Sequence, residues 1–195
     1  MKAKNFAISL TALFTALTVL GAFIRIPLPL VPITLQTLMV WLAGYFLGYF
    51  YGAVSQVLYL AIGLIGFPVF AQGGGPAYVL QPTFGYLLGF PLSAAIIGWM
   101  MHGAKREMPL SEIIADLRAA GSARILVAGG LGMIAVFLPG VLYLYFAGNH
   151  FAGLQFSFQK ALWTGMLVFL PGDLLKLFAI LALIRMVTRR FNGAV

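Results

Sequence analysis

Six long apolar runs separated by short connections leave this 195-residue chain few ways to fold. They lie near residues 6–24, 35–50, 51–66, 83–101, 123–147 and 160–185. A helix that crosses a bilayer needs about 20 predominantly apolar residues. Hydrophobic residues make up 62% of the chain and charged residues 8%, against roughly 45–50% and about 25% in soluble domains. A soluble fold of this size cannot hide so much apolar surface or cover its exterior with so few charges. Disorder is excluded by the same composition. The expectation is an all-α integral membrane protein, one domain over residues 1–195 formed by six transmembrane helices. No small-residue cleavage site follows the first run, so it reads as a retained span. The second and third runs meet at Phe50–Tyr51 and are expected to form a tight hairpin.

The 12 Lys and Arg outnumber the 4 Asp and Glu. Their distribution points to topology rather than to nucleic acid. With the N-terminus inside, the inner side carries Lys2, Lys4, Lys105, Arg106, Arg118, Arg124, Arg185, Arg189 and Arg190, and the outer side only Arg25 and Lys160. Nine against two places both termini in the cytoplasm. Segments 25–34, 67–82 and 148–159 then face outward. Within 102–122, Leu110, Ile113, Ile114 and Leu117 recur at helical spacing, which describes a short amphipathic helix on the inner surface or a solvated linker. Gly44, Gly48 and Gly52, and likewise Gly85, Gly89 and Ser93, repeat every four residues, as helices that pack closely in lipid require.

Asp173 and Lys176 stand inside the last apolar run. An ionisable group at the bilayer centre costs at least ~2.5–3.5 kcal/mol on insertion scales. Three residues apart on a helix, the two share a face and can pair. Pairing lowers the cost but does not explain the charges, since two leucines cost less. The pair is therefore a candidate site, with a structural lock between helices as the alternative. Pro171 and Gly172 just before it predict a local loosening of the helix. The run Gln72–Gly73–Gly74–Gly75 in the segment 67–82 suits a flexible outer lid or a plain connection. Gln36 opens the second run, where it binds a ligand or satisfies the turn. Arg25 attracts an anionic substrate or snorkels to the headgroups. His102 and His150 lie far apart, outside any metal-ligand spacing. There is no cysteine, no phosphate loop and no hydrolase or zinc-protease motif. Neither a catalytic set nor a metal site is expected.

Several stretches resemble the BioY family, the biotin-binding S components of energy-coupling-factor (ECF) transporters. They are Val31–Pro–Ile–Thr–Leu–Gln–Thr37, Gly66–Phe–Pro–Val–Phe–Ala–Gln–Gly–Gly–Gly75, Pro82–Thr83 with Gly85–Tyr–Leu–Leu–Gly–Phe90, and Phe169–Leu–Pro–Gly–Asp–Leu–Leu–Lys176. The last is the most specific, and the order holds along nearly the whole chain. Phe84 departs from the family pattern, which often has glycine there, and Gly148–Gly153 matches only loosely. The resemblance implies an S-component fold in a bacterial inner membrane, with biotin as ligand and no cofactor. Its expected partners are a transmembrane coupling subunit with two cytoplasmic ATPases; a homo-oligomer is also possible. It implies that Asp173 accepts from the ureido ring and Lys176 donates to it, with Gln36 and Thr83 nearby. Phe70, Tyr78 and Tyr86 are candidate apolar walls. The valerate carboxylate meets the amides near Gly73 and Gly74, or Arg25. Ala12 and Ala16 in the first span resemble the small-residue pattern that packs on the coupling subunit. A stand-alone carrier with Asp173 relaying protons remains the alternative.

Overall fold

The protein is described here from a computed structural model, which describes residues 3–28, 30–153, 155 and 157–191. Lys2 lies outside them. The chain is mostly helical. The elements are α1 (Ala3–Phe23), a two-residue antiparallel ribbon β1 (Arg25–Ile26) and β2 (Ile33–Thr34), α2 (Gln36–Ile65), α3 (Phe84–His102), α4 (Leu110–Ala119), α5 (Ser122–His150), α6 (Phe158–Leu162) and α7 (Leu170–Arg190). A short 3₁₀ turn, Pro76–Leu80, precedes α3, and a π-helical turn, Trp163–Leu167, joins α6 to α7. Among the described residues, five helical stretches are long and apolar enough to cross a membrane: α1, α2, α3, α5 and the run Phe158–Arg190.

α2 is not straight. Gly48 breaks it with φ 74° and ψ −176°, a conformation that costs an L side chain heavily and glycine little. The Gln36 side chain hydrogen-bonds Tyr59 at 2.6 Å. Along a straight helix these residues would stand about 34 Å apart, so the two arms, 36–47 and 49–65, run antiparallel. The hairpin expected at Phe50–Tyr51 thus turns two residues earlier, at the glycine. Gly44 and Gly52 face each other across it: a Cβ on Gly52 would meet the Gly44 Cα at 3.4 Å. The glycine row is therefore split between two arms instead of lining one face. The second row, Gly85, Gly89 and Ser93, does line one face, where α3 packs on α5.

The basic residues gather at one end of the bundle, where they cap backbone carbonyls. Arg118 reaches Thr188, Arg185 reaches Ala120 at 2.8 Å, and Arg124 reaches Met100 at 2.9 Å. α4 lies at this end. It is shorter than the 102–122 connection because Pro109 starts it. Ile113, Ile114 and Leu117 are buried, while Leu110 stays partly exposed. The connections 24–35 and 66–83 lie at the opposite end, over the cavity described next.

Candidate functional site

Asp173 and Lys176 sit on the first two turns of α7, just past the π-helical turn. Such turns free a backbone carbonyl from its ladder. Here the Gly165 carbonyl accepts from the Tyr86 hydroxyl at 2.8 Å. The loosening expected at Pro171–Gly172 thus lies several residues earlier, and Pro171 takes a first-turn position that needs no amide donor.

Lys176 Nζ donates to Asp173 Oδ1 at 2.7 Å, to the Thr37 hydroxyl at 2.8 Å and to the Thr34 carbonyl at 2.8 Å. An ammonium has three donors, so all are engaged. The Thr37 hydroxyl passes its own proton toward Asp173 Oδ1 at 3.3 Å. Asp173 Oδ2 receives none of these bonds, although the residue is only 4% exposed. The two charges are therefore unequal. Among the described residues, no donor engages the second Asp173 oxygen. Lys176 can donate to a newcomer only by giving up Thr34 or Thr37.

Both side chains line a hollow of about 590 Å³, open space at its mouth included. Gln36, Tyr78, Thr83 and Tyr86 line it as well. Phe90, Phe137 and Phe169 supply aromatic walls. The charged groups thus lie on the α2–α7 side, with the hydroxyls of Tyr78, Thr83 and Tyr86 elsewhere on the wall. Tyr78 lies 3.5 Å from the Thr83 hydroxyl. Burial pushes its phenol above the usual range, against the pull of the Thr83 hydrogen bond.

Four of the expected site residues lie outside this lining. Phe70 is 1% exposed, with its ring packed in the notch left by the absent Cβ of Gly63 and tilted on Tyr78 at 4.6 Å. Gly73 exchanges backbone hydrogen bonds with Phe70 at 2.8 and 3.2 Å. Gly74 is pressed against the Phe67 backbone. Arg25 is exposed on β1, paired with Thr34 of β2. Ala12 and Ala16 are exposed on α1, beside an apolar groove completed by Leu58 and Ile62 of the second arm of α2.

The BioY family model matches residues 1–193. The chain belongs to the BioY family. Among BioY proteins, it is 42% identical over 170 residues to the probable biotin transporter of Lysinibacillus sphaericus, covering 87% of this chain and 80% of that one. It is 38% identical to the biotin transporter of Thermotoga maritima, covering 85% of each. A crystal structure at 2.1 Å of the S-component for biotin from an ECF-type ABC transporter superposes with a TM-score of 0.77. The two share 26% identity, and the match covers 95% of this chain and 92% of the other. The BioY relatives are named as transporters, and this chain is a membrane protein of that family rather than an enzyme.

Within this candidate site, sequence reasoning missed Thr34, Thr37, Phe90, Phe137 and Phe169. Thr37 stood inside the quoted motif, next to Gln36, and a hydroxyl one residue into an apolar run was the available signal. The Thr34 contribution is a backbone carbonyl, which leaves no trace in side-chain chemistry. Phe137 is an apolar residue within an apolar run, so nothing set it apart, whereas Phe169 opened the most specific motif but carried no polar signal of its own. Among the described residues no group of His, Asp and Glu is placed to hold a metal.

Proposed function

We propose that this protein is the biotin-capturing membrane subunit of an ATP-driven uptake system. The observation that carries the reading is the carboxylate oxygen left free in a membrane-embedded ion pair that walls a hollow. A ureido ring offers two N–H donors and one carbonyl. Asp173 Oδ2 accepts from the ring, and Lys176 turns toward its carbonyl as it releases Thr34 or Thr37. In so dry a site charge-assisted bonds are strong, and a ligand that leaves a charge unpaired is rejected. Tyr86, Phe90, Phe137 and Phe169 hold the thiophane ring and the alkyl chain. Tyr78, Thr83 and Gln36 complete the polar rim. The carboxylate end of biotin points to the mouth, toward the outer loops that carry Arg25, Gly73 and Gly74.

In this reading residues 1–195 form one domain that crosses a bacterial inner membrane six times, with the arms of α2 as separate crossings. The gathered basic residues mark the cytoplasmic end, and both termini lie there. The cavity then opens outward. Energy comes from a transmembrane coupling subunit with two cytoplasmic ATPases, which agrees with the missing phosphate loop. The groove beside Ala12 and Ala16 is the packing face for that subunit, since small residues let helices approach closely in lipid.

Titration of the purified protein with biotin and dethiobiotin tests the reading. Asp173→Asn is expected to weaken biotin binding at least about 100-fold, because an amide replaces a charged acceptor. Unchanged affinity would sink the proposal. Proton-driven uptake by the lone protein, abolished by an uncoupler, would favour a stand-alone carrier instead.

A further inference from the structure

A chain of hydrogen bonds leaves the cavity wall and ends on the outer loop, and elementary donor–acceptor chemistry sets its direction at each step. The Val69 carbonyl can only accept, so the Tyr59 hydroxyl donates to it at 3.1 Å. With its proton committed there, Tyr59 Oη accepts from Gln36 Nε2 at 2.6 Å. This orients the Gln36 amide, whose Oε1 accepts from the Thr34 hydroxyl at 3.0 Å. The Thr34 carbonyl in turn accepts from Lys176. The loop and the ion pair are thus joined through Tyr59 and Gln36.

Tyr59 is fully buried on the second arm of α2 and does not line the cavity. Its ring meets Phe70 edge-on at 5.3 Å and stacks over Phe90 at 6.4 Å. Phe70 leans on Tyr78, which does line the cavity. The loop is also moored on this arm by backbone bonds, from Gly75 N–H to the Gly63 carbonyl at 2.7 Å and from Phe67 N–H to the Ile62 carbonyl at 3.3 Å. Removing the Tyr59 hydroxyl would therefore free the Val69 end of the loop and let the Gln36 amide rotate. The aromatic packing beneath would stay.

We propose that Tyr59 is a positioning residue for ligand retention: its hydroxyl holds the outer loop over the cavity and fixes which end of the Gln36 amide faces the ligand. The inference rests on the biotin reading, but Tyr59 itself touches no ligand. A purely structural tyrosine would lower stability without separating the rates of ligand entry and exit.

The test is Tyr59→Phe in the full-length purified protein, with radiolabelled biotin. Association is followed directly, and dissociation by chase with unlabelled biotin. The expected result is exit about tenfold faster, the scale of one hydrogen bond, with entry within twofold and Tm little changed. Gln36→Met, which removes the donor to Tyr59, is expected to speed exit too, and adding Tyr59→Phe to it should bring little more. The chain has no cysteine, so a single Val69→Cys gives a clean loop probe. Biotin should protect it from maleimide, and Tyr59→Phe should remove that protection. Unchanged exit in both variants overturns the proposal. So does a loss of Tm accompanied by equal changes in both rates. A wild-type chain that binds no biotin overturns this inference and the parent reading together. Wild-type binding with unaltered exit in the variants overturns this one alone.

Discussion

Two clusters in this molecule join an aspartate to a lysine, one beside the cavity and one at the basic end. In the first, the Asp173 and Lys176 side chains are 6% and 12% exposed. In the second, Asp116 of α4 and Lys105 are 21% and 46% exposed. Lys105 Nζ lies within 3.1 Å of both Asp116 oxygens, and 2.9 Å from Glu112. His102 joins them, with Nδ1 3.0 Å from Asp116 Oδ2 and Nε2 2.8 Å from the Tyr45 carbonyl oxygen. Every oxygen of Asp116 is engaged. The cluster staples α4 to the end of α3 and to the α2 hairpin. Asp173 differs in being drier and in keeping one oxygen unused beside a hollow. An ion pair alone marks nothing. A costly, buried pair with spare bonding capacity and room beside it marks a site.

The sharpest break of that comparison replaces both members of the cavity pair. Asp173→Leu with Lys176→Leu is expected to abolish biotin binding, a loss of about 1,000-fold or more, while Tm holds or rises. Well-packed apolar residues in place of a buried pair are often neutral or stabilising. Calorimetric titration and a thermal melt on the same sample read both. A steep drop in Tm would instead make the pair a structural lock. The basic end should behave in the opposite sense. His102→Ala removes the ring contacts to the Asp116 carboxylate and the Tyr45 carbonyl, leaving Asp116 to Lys105 alone, and is expected to cost about 1–3 kcal/mol of stability. Biotin affinity should stay within about threefold.

Acid provides a gentler probe. Partial burial pushes the Asp116 carboxyl upward, but hydrogen bonds from His102 and Lys105 and the nearby positive charge outweigh it and hold it below the usual carboxylate range. A depressed carboxylate contributes stability in full above its unfolded value of about 3.9 and loses it as pH falls through the folded value. The Tm difference between the protein and its Asp116→Asn variant should therefore be constant from neutral pH down to about 5. It should vanish in stronger acid. A difference that grew on acidification would refute the assignment. The smallest effect is expected from Lys105→Ala, whose partners are solvent-screened: a shift in Tm of no more than about a degree.

The membrane class, the long apolar helices, and the pair Asp173–Lys176 were legible because each rests on local contrast. A run of apolar residues, or a charge within one, stands out without knowledge of its neighbours. Gln36 and Tyr78 stood out by their places beside the outer loops, Thr83 and Tyr86 by motif resemblance, and all four line the hollow. Phe70 came the same way and lies behind the wall, because the open notch at Gly63 accepts its ring. Gly44, Gly48 and Gly52 look alike in sequence. Only closure of the hairpin makes Gly48 the one with positive φ.

Hydropathy and charge accumulate along the chain one residue at a time, so the amino-acid order alone settled that this protein lives in a membrane, where its helices run and which end is basic. It also placed an aspartate and a lysine where lipid penalises them. Which groups answer those charges was decided only when the chain folded. Thr37 is 136 residues from Asp173, and Tyr59 meets Gln36 because α2 doubles back. Partners so distant in sequence are chosen by how helices pack, and packing is a property of the whole bundle.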